Sequence, residues 1–310
     1  VVIELKTIEV IFMKIAVVAD RAVPPWSARQ IILALESLGA SAVYVRPSEL
    51  VSVFGEGYDT VLHLATSKPI EFNGVILRDL GSTVTLENFL RRCNVFRHLE
   101  LLGTPVINPV DSIVIARDKY YSLLLLNRAG LPVPKTLVTE DFMLPLKVAE
   151  QWGKTIIKPV IGSMGFGIVM TENPDVTYTI ARTLAQLKQP IYLQKYVEKP
   201  GRDIRILVVG NEVIAAYYRV QSSKDEWKTN VAQGAKPIPI SNLDEELYNI
   251  VFKVMKVLKL HYAGIDVAET ERGYVIFEVN ASPQWRGIQK ATGINPAIHL
   301  AKYVLYLVKR

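Results

Sequence analysis

Short apolar runs alternate with amphipathic stretches over residues 14 to 105. KIAVVAD, SAVYVR, DTVLHLA and GVILRD have the length and β-favouring content of strands. SARQIILALESLG and LENFLRRCNVFRHLELLG carry apolar residues on one face at helical spacing. Gly39 follows the first helix where a left-handed residue commonly closes one, and Gly103 stops the second. Strand and helix in this alternation predict a parallel sheet with covering helices.

Beyond residue 105 the pattern changes. SIVIARDKYYSLLLLNRAG predicts a helix capped by Asp111 or Ser112 and closed by Gly130. LPVPKTLVT is extended, as its two prolines require. A short helix in PLKVAEQWG precedes two strands, TIIKPV and GIVMTE, joined by IGSMGF, and residues 176 to 188 form a further helix. From IYLQKYV onwards the chain is strand-rich: DIRILVVG, EVIAAYYRV, YAGIDVAET and YVIFEVN, with a helix in LDEELYNIVFKVMKVLKL and another from about 295. No repeat or low-complexity linker interrupts it. The expected organisation is an N-terminal α/β domain over 1–105, a central lobe over 106–190 and a C-terminal lobe over 191–310.

Composition narrows the classes. Half of the 310 residues are hydrophobic, and no apolar run reaches the roughly 20 residues of a membrane span. VVIELKTIEVIFM is interrupted by Glu4, Lys6 and Glu9, unlike a signal peptide, and Met13 is a candidate start. Cys93 alone forms no internal disulfide, which fits the cytoplasm. His63, His98, His261 and His299 have no zinc spacing. The net charge of +6 reads either as scattered surface lysine and arginine or as affinity for anions. No basic stripe with interleaved aromatics points to nucleic acid.

Several residues invite chemistry. KPVIGSMGFGI sets Gly162, Gly165 and Gly167 between two strands, where backbone N–H groups can approach phosphate oxygens; a plain hairpin turn is the alternative. It is neither a Walker loop nor a dinucleotide fingerprint, because strand leads to strand. Lys158, flanked by apolar residues just before that loop, either snorkels from an edge strand or faces an anion, and the loop favours the anion. Asp266 lies twelve residues before Glu278, a spacing that suits neighbouring antiparallel strands turning at TERGY. Glu278 and Asn280 are two apart and share a face. Two carboxylates and an amide oxygen suit a magnesium ion bridging phosphates. Gln194 and Lys195 can hydrogen-bond a flat heterocycle. Asp203 and Arg205 share a face, and Arg219 belongs to the next strand. The arginines suit a carboxylate or phosphate, or surface ion pairs.

Taken together, RDKYYSLLLLNRAGLPVPKT, IIKPVIGSMGFGIVM, YLQKYVEKPGRDIRILVVGNEVIAAYYR, WKTNVAQGA, AGIDVAET and FEVNASPQWRGIQKATGINPA resemble the ATP-grasp ligases. Within them, the chain is similar to the RimK-like group that adds glutamate or a related amino acid. The resemblance covers residues 105 to 310 in order and spacing, whereas 14 to 104 match only in strand–helix pattern. It implies an α/β chain with α+β lobes in the ATP-grasp fold: an N-terminal parallel-sheet lobe, a central lid lobe and a C-terminal antiparallel-sheet lobe. It implies an ADP-forming ligase of peptide synthase type, which activates a carboxylate as an acylphosphate and joins it to an amine. Lys119 and Lys158, with Gly162, Ser163 and Gly165, then meet the ATP phosphates. Gln194, Lys195, Tyr196 and Val197 hold the adenine, and Asp203 lies at the ribose. Asp266, Glu278 and Asn280 hold Mg2+ or Mn2+. Arg205 and Arg219 hold the carboxylate or acylphosphate, with Lys228 and Asn230 nearby.

After EVN the chain reads ASPQWRG, which looks like the enzymes adding an α-linked glutamate; Ser282, Trp285 and Arg286 are expected at the acceptor. The Gln-Trp-Arg insertion departs from the SPG of the ribosomal-protein modifiers. The implied partners are L-glutamate with a small acidic acceptor or peptide carboxylate, in a homo-oligomer that binds neither nucleic acid nor membrane. Two alternatives stand beside this: a carrier-protein-dependent ligase of lysine or arginine biosynthesis, and a nucleotide-binding regulator without ligation. A dehydrogenase is disfavoured, since VVADRAVPPW lacks the glycine fingerprint.

Overall fold

The most continuous apolar runs occupy the middle of a parallel sheet, where strands are covered on both faces. The computed structural model describes residues 13–81, 84–162, 166–221 and 236–309. The chain divides into two units, Val1–Val110 with Ala297–Arg310 and Asp111–Pro296.

The first unit begins with β1 (Lys14–Val18), α1 (Trp26–Ser37), β2 (Ser41–Val45), β3 (Leu50–Gly55), β4 (Tyr58–His63), β5 (Lys68–Pro69), β6 (Gly74–Leu77), α2 (Leu86–Leu101) and β7 (Val106–Ile107). The parallel sheet has the order β2-β1-β6-β7. Ile15 to Val18 and Val75 to Leu77 are at most 1% exposed. Gly39, at φ +81, closes α1 as its position predicts. DTVLHLA departs from expectation. It supplies β4, which pairs antiparallel with β3 and β5 in a separate sheet. Glu56 and Gly57 both take positive φ, the geometry that suits a tight hairpin, and this local turn draws the segment out of the alternation.

The second unit continues with α3 (Val110–Arg117), α4 (Lys119–Arg128), β8 (Thr136–Thr139), α5 (Leu144–Trp152), β9 (Thr155–Ile157), β10 (Val169–Thr171), α6 (Pro174–Gln186), β11 (Ile191–Lys195), β12 (Arg202–Val209), β13 (Glu212–Val220), β14 (Lys236–Ile240), α7 (Glu245–Val257), β15 (Tyr262–Thr270), β16 (Gly273–Asn280) and α8 (Arg286–Thr292). The last helix, α9 (Pro296–Val308), returns to the first unit. The single helix expected over 112–130 is two helices. Asp118 sits between them in extended conformation and accepts the backbone N–H groups of Tyr120 and Tyr121, so it starts a new helix at Lys119.

Among the described residues this unit holds two antiparallel sheets, β10-β9-β11-β8 and β14-β13-β12-β15-β16. One face of the five-stranded sheet is apolar. Ile204, Ile206, Val208, Ile265, Val267 and Val279 join a core with Leu247, Val251 and Val254 of α7 and Leu123 and Leu126 of α4. Burying each such side chain stabilises the fold by about 1.5–3 kcal/mol relative to exposure. The opposite face carries the charged residues that alternate with these.

Candidate active site

Strand alternation sends Asp203, Arg205 and Asp266 away from the apolar core. Arg205, Asp266 and Glu278 are direct neighbours across β12, β15 and β16, and Tyr217 lies beside Arg205 on β13. A β-bulge produces this row. The register shifts by one residue between Asp266 and Val267, because Val267 pairs with Ile276 while Asp266 pairs with Glu278. Phe277 is the extra residue; in a regular ladder it would oppose Asp266, and Glu278 would turn to the core.

The face is an ion-pair chain. Asp266 accepts from Arg205 Nη2 at 2.9 Å and lies 3.2 Å from Arg219 Nη2; Arg205 Nε also contacts Asp266 Oδ1. Arg219 Nε donates to Asp203 Oδ1 at 2.6 Å, and Lys199 Nζ lies 3.5 Å from Asp203 Oδ2. Burial pushes the Asp266 carboxyl up, opposed by Arg205 and Arg219. Burial works against the charge of Arg219, but Asp266 and Asp203 hold its pKa above the ordinary value. These pairs set a group of opposite charge beside each of these buried side chains.

Two lysines complete the cluster. Lys119, placed by the Asp118 cap, donates through Nζ to Gly162 O at 2.6 Å and lies 3.3 Å from Glu278 Oε1. Lys158 directly follows β9 and is 8% exposed, so it does not snorkel to water. Burial lowers its pKa to about 8, against the attraction of Glu278 and with the repulsion of Lys119. Glu278 and Asn280 are partly exposed, while the Asp266 oxygens are engaged by guanidinium groups. Among the described residues no group of three His, Cys, Asp or Glu side chains could hold a metal. The mixed set of Asp266, Glu278 and Asn280 offers oxygen donors only, on one face, which fits a hard divalent cation.

The remaining expected residues fall in three groups. Gln194 is buried, and its Nε2 donates to Thr136 Oγ1 and Tyr192 Oη at 2.9 Å each, so its amide faces inward. Lys195 is exposed; its N–H donates to Lys135 O, and that of Tyr196 donates to Lys154 O. Tyr196 and Val197 are half-buried, and the Lys154 ammonium lies 4.7 Å from the Tyr196 ring centroid. Asp203 is 3% exposed inside its ion pairs. Ser163, Gly165, Lys228 and Asn230 lie outside the described residues.

The segment after β16 folds back on the charged face. Pro283 packs so closely over Gly264 that an added Cβ there would lie 2.7 Å from it and 2.9 Å from Arg205 Nη1. A Cβ on Gly287 would meet Tyr217 Oη at 2.9 Å. Ser282 Oγ lies 3.4 Å from Tyr262 Oη. Trp285 is 1% exposed, so its ring is a packing element, whereas Arg286 is exposed. Sequence reading passes over Lys199, Tyr192 and Tyr217. Lys199 carries no legible signal, because its pairing with Asp203 crosses a non-helical connection into β12; the tyrosines read as ordinary strand residues.

Residues 116–304 match the family model described as the RimK-like ATP-grasp domain. Over 271 residues the chain is 32% identical to the tetrahydromethanopterin:alpha-L-glutamate ligase of Methanocaldococcus jannaschii, covering 86% of this chain and 89% of that protein. It is 33% identical over 218 residues to the alpha-aminoadipate–LysW ligase LysX of Saccharolobus solfataricus, covering 68% and 78%. Among solved structures, the ATP-grasp ligase PsnB complexed with a phosphomimetic variant of its minimal precursor, Mg and ADP superposes with TM-score 0.77. It is 23% identical, with 96% of this chain and 99% of that chain covered, a likeness that establishes the fold.

Proposed function

The chain belongs to the RimK-like ATP-grasp family, and from that premise we propose how its charged face serves an ATP-dependent ligation of a carboxylate to an amine. The carboxylate takes the γ-phosphoryl group of ATP, giving an acylphosphate and ADP; the amine then attacks the acyl carbon and phosphate leaves. The observation that carries the residue assignment is the 3.3 Å approach of Lys119 to Glu278, which neighbours Asp266, with buried Lys158 within the electrostatic reach of both carboxylates. Lys119 and Lys158 bind the phosphates as point charges. Glu278, Asn280 and Asp266 would hold magnesium, or manganese on the same oxygens, and such an ion would offset the charge between phosphate and carboxylate. Arg205 and Arg219, fixed by their carboxylates, orient the acyl group. Gln194 to Val197 line the adenine, and Asp203, tied to Arg219, borders the ribose.

We take L-glutamate as the amine and a small acidic molecule or peptide carboxylate as the acceptor. The relative named as a tetrahydromethanopterin:alpha-L-glutamate ligase supports this, and exposed Arg286 offers a fork for an acidic group. Ser282 and Arg286 border the acceptor, and Trp285, buried between them in sequence, anchors the segment that carries them. The similarity to LysX favours a second reading, in which the acceptor is a carrier protein.

Incubating the enzyme with ATP, Mg2+, labelled L-glutamate and a panel of small acids, peptides and carrier protein tests these readings by mass. A labelled small product and ADP release dependent on both substrates are expected. Label appearing on the carrier alone supports the second reading, and ADP release indifferent to amine and acceptor rejects both.

A further inference from the structure

We propose that Tyr192 is a positioning residue for the two lysines assigned to the ATP phosphates, with its ring under the Lys158 ammonium and its hydroxyl tied to the backbone of Lys119. The inference rests on the phosphate reading of those lysines.

Tyr192 lies on β11, between β9 and β8, and is 0% exposed. It therefore reaches neither solvent nor a bound nucleotide directly. Its carbonyl accepts the Lys158 N–H at 3.2 Å, and its ring centroid is 5.5 Å from Lys158 Nζ, within range of a cation–π attraction. Its hydroxyl accepts from Gln194 Nε2 at 2.9 Å and donates to Lys119 O at 3.5 Å. Gln194 is anchored in turn on Thr136 Oγ1 of β8. One side chain thus links the strand that delivers Lys158 to the helix turn that delivers Lys119.

Core packing alone does not call for a tyrosine here. Ile191 and Leu193 flank it and are equally buried, and a buried hydroxyl is costly unless it is partnered. Its partners belong to the apparatus around the two lysines. An ammonium buried as deeply as Lys158 gains from the negative face of the ring 5.5 Å away, which adds to the attraction of Glu278 and Asp266 and offsets the repulsion of Lys119.

The test measures ADP binding with Mg2+ by calorimetry, and the KM of ATP and of the amine, in the full chain carrying Tyr192→Phe or Tyr192→Leu. Tyr192→Phe keeps the ring and loses the hydroxyl link; ADP affinity is expected to fall about threefold. Tyr192→Leu loses both, and the expected fall is about tenfold or more, with the amine KM unchanged. On a Lys158→Gln background, Tyr192→Leu is expected to cost less, because the ring has no ammonium to hold. Equal losses on both backgrounds, or parallel loss of ADP and amine binding, overturn the proposal. If Tyr192→Leu does not fold, unchanged ADP affinity in Tyr192→Phe overturns it. If Lys158→Gln itself leaves ADP affinity unchanged, the phosphate reading fails first.

Discussion

At the scale of the residue, Lys158 trades stability for charge. Its ordinary pKa is 10.5 and burial brings it to about 8 in the folded chain. Below pH 8 the ammonium is charged in both states, and burying it costs on the order of 3 kcal/mol. Between pH 8 and 10.5 the unfolded chain holds a proton that the folded chain has lost, so this penalty is relieved and stability rises with pH through the window. Lys158→Met should therefore raise the melting temperature at pH 7 while sharply weakening ATP binding; a lower melting temperature would reject this account of its burial. In the wild type, kcat/KM for ATP should decline above about pH 8, where the free enzyme's ammonium deprotonates, and a profile flat to pH 9.5 would argue against phosphate contact. The two carboxylates differ in the same way. Asp266→Asn takes the carboxylate from Arg205 and leaves Arg219 with Asp203 alone, and should cost about 3–5 kcal/mol as well as turnover. Glu278→Gln, on a partly exposed side chain, should abolish turnover with little change in denaturant midpoint. Equal destabilisation by the two would remove the distinction.

At the scale of the element, the edge of the five-stranded sheet is shaped by what packs on it. The register shift in β15–β16 turns Glu278 towards Asp266, and Gly264 leaves the space that Pro283 fills beside Arg205. Gly264→Ala forces a Cβ into Pro283 and the guanidinium, an overpacking that costs about 1–3 kcal/mol. Because Arg205 is displaced as well, kcat should fall about tenfold or more while the KM of ATP holds. A loss of thermal stability with kcat intact would place Arg205 outside the reaction. The break between α3 and α4 matters equally: the Asp118 cap sets Lys119 in a first helical turn, where its position is fixed by backbone geometry.

At the scale of the whole molecule, the chain's last helix belongs with its first segment. Gly74 on β6 would place a Cβ 2.6 Å from Val308, and Leu300 and Val304 are buried. A ligand stabilises the unit that binds it, by about 2.7 kcal/mol at 100 times its Kd. If nucleotide binds within Asp111–Pro296, ADP should raise one calorimetric transition and leave another unmoved. Leu300→Asp should lower the unmoved transition, since it introduces a charge into the first unit's core. A variant that lowered only the ADP-sensitive transition would contradict that assignment. Among the described residues, no helix is long and apolar enough to cross a membrane.

Local composition by itself determined much of this. The unbroken apolar runs of β1 and β6 could only be covered strands, so the parallel sheet was legible. The polar positions in YAGIDVAET and FEVN stood out because carboxylates are rare in strands that apolar, and their spacing brought Asp266 and Glu278 to adjacent strands. Tertiary structure decided the rest. The bulge at Phe277 and the cap at Asp118 depend on how strands and helices meet, and periodicity averages over such single-residue irregularities. β3 was hidden because Glu56 and Gly57 specify a hairpin that competes with the surrounding alternation. Trp285 could not be told from a surface ring until the chain after β16 folded back over Gly264. Tyr192 read as one more strand residue, because a hydroxyl's role is set by partners from β8, β11 and α4 that only folding brings within hydrogen-bond reach.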